Sequence, residues 1–278
     1  MADHEQTSDS TGTDTLDPVA LTGRLTARMR AVESARADRL FDDPFAARLA
    51  GTAGQELLAE FGDNPAIVVR TRYFDDMLAA PGPRQICILA AGMDSRAYRL
   101  DFPADTTVFE LDRPAVLAIK DELIDAAPRC VRVPVGVDLA SDWTGPLLTA
   151  GFDPNAPTQW LIEGLTQYLP ESDVLRLLDR ATALSAPGSR LHMDIVGRSF
   201  LEHPAMRPLL DRMVKLQAPW LFGTDRPEDL LTTRGWRPEV ILISTVGTQF
   251  GRWPHPDLPR DAPGAPHGFL VRAERGGA

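Results

Sequence analysis

The sequence predicts an α/β fold: one open sheet of seven strands, mostly parallel, with an antiparallel C-terminal hairpin at its edge. Three observations predict it. Continuous apolar runs, of which QICILAA at 85–91 is the clearest, mark strands buried on both faces. Between them lie segments with three- and four-residue apolar spacing, so helices alternate with strands and the crossovers are right-handed. Before residue 81 only the helical spacing occurs, which sets a helical cap ahead of the sheet.

The cap begins with a helix over 16–39, where Leu21, Leu25, Met29 and Val32 share one side. Asp42, Asp43 and Pro44 signal a short helix through 49, and the turn Gly62-Asp63-Asn64 leads into a third over 65–78. Strands follow at 85–91, 107–111, 130–135, 158–162 and 190–196, with helices over 114–126 and 171–184. Residues 200–216 and 227–233 have a helical pattern. Two last strands, 240–244 and 268–271, flank a proline-rich loop over 253–266 and form the edge hairpin. The expected division is a disordered tail (1–15), a helical N-terminal cap (16–80) and a sheet core (81–278) whose insertion at about 199–222 covers the site as a lid.

At 278 residues, 44% hydrophobic and 24% charged, the composition is that of an ordinary globular chain. A net charge of −10 argues against nucleic acid, which needs a basic face. No run approaches the roughly 18 apolar residues of a membrane span, and MADHEQTSDSTGTD lacks the basic start of a signal peptide. Cys87 and Cys130 lie in apolar runs with no CxxC or Cys/His neighbourhood. Reduced thiols in a cytoplasmic protein are expected, and no metal.

In an open parallel sheet, ligands bind beyond the carboxyl ends of the strands. After the first strand come Ala90-Ala91-Gly92-Met93-Asp94-Ser95, small residues that let backbone approach a ligand. The motif is not GxGxxG, so a diphosphate is not indicated. Asp112 follows the second strand, 20 residues past Gly92, the spacing of an acidic residue that accepts from ribose hydroxyls. The same position also fits an N-cap for the helix near Pro114. Asp138 and Leu139 follow the third strand, Glu163 and Gly164 the fourth. Carboxylates after three successive strands repel a diphosphate and suit a cation carrying ribose and adenine. Asp138 is placed to accept from an adenine amino group, with Leu139 giving an amide and an apolar contact, and Glu163 lies nearer the reacting end.

Four segments occur in order: RTRYFDD (70–76), LAAGMDSRAYRL (89–100), FELDRP (109–114) and EGLTQYL (163–169). They strongly resemble the leucine carboxyl methyltransferase family, especially its actinobacterial S-adenosylmethionine-dependent branch, which includes carboxyl O-methyltransferases of aromatic polyketides. The resemblance runs from about residue 25 to the C-terminus. It implies a Rossmann-like class I methyltransferase fold, S-adenosylmethionine as cofactor, and methyl transfer to an oxygen of a small molecule. By motif position it implies Asp112 on the ribose and Asp138 with Leu139 around the adenine. Gly92 and the Ala90 backbone would lie beside the methionine part, and Glu163 with Gly164 near the amino group or sulfonium. One arginine of the pair Arg70 and Arg72 would hold the methionine carboxylate. Two positions depart from the family. Ala90 stands where glycine is usual, and a positive φ there would cost about 1 kcal/mol. Thr166-Gln167 replaces a usually apolar pair, so substrate identity does not carry over.

A carboxylate acceptor is already ionised at pH 7, whereas a phenol or alcohol needs a base such as histidine. His192 falls inside a strand and reads as structural. His203 precedes the lid helix, while His255 and His267 fall in the proline-rich loop, and none is an evident base. This favours a carboxylate. Its clamp is expected among Arg28, Arg30 and Arg36 of the first helix, its walls among Tyr73, Tyr168, Trp220, Phe222 and Trp253. A reaction that used the sulfonium for cyclisation or decarboxylation would need the same cofactor residues. The expected partner is a small-molecule acceptor, with monomer and homo-oligomer both open.

Overall fold

The structure, a computed structural model, describes residues 17–276; the tail expected at 1–15 lies outside them. Three helices form the N-terminal cap: α1 (Pro18–Ser34), α2 (Ala46–Phe61) and α3 (Pro65–Ala79). Asp17 starts α1 by accepting from the amides of Val19 and Ala20, with Pro18 preset for the first turn. Asn64 and Pro65 start α3 in the same way. The second helix runs on to Phe61, beyond the expected end at 49, because a kink at Gly51 (φ 56°) interrupts its periodicity. Gly54 lets α2 lie directly on α1: a Cβ there would stand 2.6 Å from the Arg24 carbonyl oxygen.

The remaining elements are β1 (Gln85–Leu89), α4 (Arg96–Arg99), β2 (Thr107–Asp112), α5 (Pro114–Leu123), β3 (Val131–Gly136), α6 (Thr144–Thr149), β4 (Thr158–Ile162), α7 (Glu171–Ala183), β5 (Arg190–Val196), α8 (Arg198–Glu202), α9 (Arg207–Lys215), α10 (Pro227–Thr232), β6 (Trp236–Leu242), α11 (Ile243–Gln249) and β7 (Gly268–Arg275). The strand order is β3-β2-β1-β4-β5-β7-β6. Strands β1 to β5 are parallel, and β7 runs antiparallel to both β5 and β6. The order reverses between β1 and β4, so their carboxyl ends face one crevice. Along β1, Cys87 and Leu89 enter the core under α7, while Ile86 and Ile88 enter the core under α3 and α5.

Two further expectations change. The helix expected over 200–216 is three pieces: α8, a 3-10 turn (Pro204–Met206) and α9. His203 precedes Pro204 and is driven to extended geometry (ψ 129°), which ends α8. The edge strand β6 begins at Trp236 rather than 240, and residues 243–249 are helical. The β6–β7 connection therefore holds a helix as well as the proline-rich loop.

Candidate functional site

A cavity of about 950 Å³ opens at the carboxyl ends of β1 to β5, with residues of α1 and of the 199–222 insertion also lining it. Its floor is the turn after β1, where Ala90 has φ 58° and Gly92 φ 44°. The alanine thus sits in the left-handed region that glycine prefers. The Gly92 amide donates to Asp112 Oδ2 at 2.7 Å, and the Arg113 amide donates to Asp112 Oδ1 at 2.7 Å. Asp112 therefore fastens the β1 turn to the β2 end and does not cap α5, whose N-cap is Arg113. Burial raises the pKa of its carboxyl, opposed by those two amides and by Lys120. Asp138 lies exposed at the rim after β3, accepting from the Ala140 amide at 2.9 Å, and Leu139 follows it along the wall.

The three other segments singled out in the sequence converge on one ionic network. Arg70 of α3 donates to Glu163 Oε1 at 3.0 Å and to Asp194 Oδ2 at 2.8 Å. Asp194 also accepts from the Gly164 amide at 2.7 Å. Glu163 Oε2 meets Arg96 Nη1 at 2.7 Å, and Arg96 is paired as well with Asp75 and Asp94. Arg99 grips Asp75 through two nitrogens at 2.6 and 2.7 Å. Burial opposes the charge on Arg70, but Asp194 and Glu163 outweigh it and raise its pKa. Burial opposes Asp94 likewise, yet Arg96 and Lys120 hold its carboxyl down at about 2. These ion pairs make this part of the cavity wall densely polar.

Aromatic side chains also line the cavity. Tyr168 meets Trp220 edge-on at 6.4 Å, and Phe200 lies 5.7 Å from the same indole. The 3-10 turn holding Tyr168 anchors the insertion: the Gln167 carbonyl accepts from the Leu221 amide at 2.6 Å. Trp253 and His255 pack edge-on at 6.1 Å on the far rim. His203 lines the cavity, but its Nδ1 accepts from the Ala205 amide at 3.1 Å.

Several sequence-predicted residues lie elsewhere. Arg72 points away from the cavity, pairing with Asp76 at 2.9 Å and donating to the Leu40 carbonyl. Two residues along a helix differ by about 200°, so Arg70 and Arg72 cannot face one ligand. Tyr73 does not line the cavity either; it packs against Phe74 and the core. Arg36 pairs with Asp38 on the surface, Arg28 is not at the cavity wall, and Phe222 is part of the core. Arg30 reaches the cavity but is held by Asp43 at 2.9 Å and by the Met93 carbonyl at 2.5 Å. His192 is buried in β5, where burial and then Arg190 and Arg272 depress its pKa to about 3. Of the residues that line the cavity, sequence reading missed Asp194, Arg96 and Arg212. A lone acid in the apolar run LHMDIV was the signal for Asp194; for Arg212 there was none. Among the described residues no group of three or more His, Cys, Asp or Glu is arranged to hold a metal ion, and no helix is long and apolar enough to cross a membrane.

The leucine carboxyl methyltransferase family model matches residues 24–182. A protein of Parafrankia sp. (strain EAN1pec), assigned as an S-adenosyl-L-methionine-dependent methyltransferase, is 40% identical over 280 residues, covering 92% of this chain and 87% of its own length. Among solved structures, a DUF574 family protein from Streptomyces avermitilis MA-4680 aligns with a TM-score of 0.62 at 15% identity, over 91% of this chain and 97% of that one. A protein from Thermobifida fusca YX, assigned as a methyltransferase, aligns with a TM-score of 0.56 at 17% identity, over 92% and 94%. At these identities the two structures speak to the fold alone.

Proposed function

The chain belongs to the leucine carboxyl methyltransferase family and is an S-adenosylmethionine-dependent methyltransferase of class I fold, and from that premise we propose that it methylates a carboxylate oxygen of a small, largely apolar metabolite of the polyketide type. The observation that carries this reading is one cavity that joins carboxylates and tight turns at the strand ends to an aromatic group of Tyr168, Phe200 and Trp220. A volume of about 950 Å³ is large enough for a nucleoside donor beside a compact acceptor.

The residues present fit the donor. Asp112 and Asp138 offer acceptors for ribose hydroxyls and an adenine amino group, and the positive-φ turn at Ala90 and Gly92 exposes backbone to the methionine part. Arg70 is the cation for the methionine carboxylate, and Glu163 the anion for its amino group. When bound, S-adenosylmethionine supplies an electrophilic methyl: the new C–O bond forms as the S–C bond breaks, the electron pair stays on sulfur, and no proton moves. This chain's residues then position the acceptor and exclude water, effects worth up to roughly 7–11 kcal/mol together. A cytoplasmic setting belongs to the same reading, supported by the free thiols of Cys87 and Cys130.

One observation favours a second reading, a phenol or alcohol acceptor. His267 lines the cavity at 7% exposure, and among the described residues its Nε2 is buried without a hydrogen-bond partner. An imidazole so placed is available as a general base.

The test is release of S-adenosylhomocysteine with an aromatic carboxylic acid, its amide and the matching phenol. Turnover of the acid alone, unaffected by His267→Gln, supports carboxylate methylation. Turnover of the phenol alone, lost in His267→Gln, establishes the second reading, and acceptor conversion without S-adenosylhomocysteine release refutes both.

A further inference from the structure

We propose that Arg212 binds an anionic group of the acceptor, which makes the acceptor an acid with an apolar body; this deepens the reading above and rests on it. Six arginines line the cavity: Arg30, Arg70, Arg96, Arg99, Arg113 and Arg212. Five have carboxylate partners. Arg30 pairs with Asp43, Arg70 with Glu163 and Asp194, Arg96 with Asp75, Asp94 and Glu163, Arg99 with Asp75, and Arg113 with Asp17. Among the described residues the guanidinium of Arg212 has neither an ion pair nor a hydrogen bond, and its Nε is buried without a partner.

A guanidinium partly withdrawn from water gains little where it stands, and an arriving anion would give it charge-assisted, bidentate hydrogen bonds. Arg212 Cζ lies 5.6 Å from the centroid of the Phe61 ring, a cation–π contact that uses none of its N–H donors. Arg212 belongs to α9, the helix above the cavity, as do the lining residues Leu209 and Met213. Trp220, which lines the same cavity, carries a second buried donor without a partner among the described residues, its Nε1. A cation and an indole N–H beside apolar side chains describe a pocket for an apolar acid.

The test uses an anionic fluorophore, 8-anilinonaphthalene-1-sulfonate, and its neutral analogue N-phenyl-1-naphthylamine. Both are titrated into the wild type, Arg212→Leu and Arg212→Gln at saturating S-adenosylhomocysteine, whose own affinity is measured by calorimetry. The expected result is at least a tenfold loss of affinity for the sulfonate in both variants, with the neutral probe and S-adenosylhomocysteine unchanged. Equal sulfonate affinity in wild type and variants, or no saturable sulfonate binding by the wild type, overturns the proposal. A parallel fall in S-adenosylhomocysteine affinity also overturns it, because Arg212 would then hold the cofactor's carboxylate. Failure of the wild type to bind S-adenosylhomocysteine strikes instead at the methyltransferase reading of this cavity.

Discussion

Arg70 of α3 and Glu163 at the end of β4 are joined by a 3.0 Å ion pair across 93 residues of chain. Both are nearly buried, with side chains 11% and 14% exposed. The N-terminal cap is therefore fastened to the sheet at the cavity itself, so forces that hold the fold and forces that shape the site act through the same side chains.

Replacing Arg70 and replacing Arg72 by alanine should have very different effects. Arg70→Ala leaves Glu163 and Asp194 short of a counter-charge, although Arg96 and the Gly164 amide still serve them. A loss of about 3 kcal/mol is expected, at the low end for a broken buried pair. Arg72 belongs to a half-exposed i,i+4 pair with Asp76, worth about 0.5 kcal/mol or less. Urea denaturation separates the two. Calorimetry with S-adenosylhomocysteine should show lost affinity for the first variant only, and equal losses would contradict the orientation of α3.

Glu110 in β2 is fully buried and its Oε2 lies 2.7 Å from both Lys120 Nζ and Arg132 Nε. Glu110→Ala strands Lys120 in the core, while Arg132 keeps Asp121 at 2.8 Å. The expected cost is roughly 3–5 kcal/mol. Converting both Glu110 and Lys120 to leucine removes the stranded charge and should recover much of that loss. Urea midpoints of the single and double variants check it, and a double variant no better than the single one rules out the stranded charge as the cause.

Much of this architecture is legible in the sequence. The strands show because a parallel strand covered on both faces must be apolar throughout, and β5 falls where expected, over 190–196. The acids of the site show because the fold places ligands at strand ends. Other features depend on what a residue meets in space. Arg70 and Arg72 are equivalent in composition, and only the rotation of α3 separates them. Arg212 is one arginine among many until the partners of the other five are known. Short helices such as α4 and α6, of four and six residues, carry too few positions for a period to register.

His192 makes stability depend on pH. Its pKa is about 3 in the folded protein against 6.5 for an ordinary imidazole, so between these limits the unfolded chain binds the extra proton. Its contribution is intact above pH 6.5 and declines as pH falls, at about 1.4 kcal/mol per unit. From pH 7 to 5 the wild type should lose about 2 kcal/mol more than His192→Leu, measured by urea denaturation at each pH. Parallel losses in both proteins would mean that the imidazole is not desolvated as the structure has it.

Gln217 ends α9 in a left-handed conformation, φ 60°, where glycine is the usual residue. The Ala218 amide donates to the Met213 carbonyl and the Gln217 amide to the Val214 carbonyl, each at 2.9 Å, the paired bonds of a Schellman cap. A non-glycine residue there costs about 1–2 kcal/mol. Glycine gives back about 0.4–1 kcal/mol through the greater freedom of its unfolded chain. Because Gln217 is exposed, little packing is lost. Gln217→Gly should therefore stabilise the protein by about 0.5–1 kcal/mol, read as a higher urea midpoint at unchanged slope. A destabilised variant would show that the cap at the end of α9 is held by the glutamine side chain rather than strained by it.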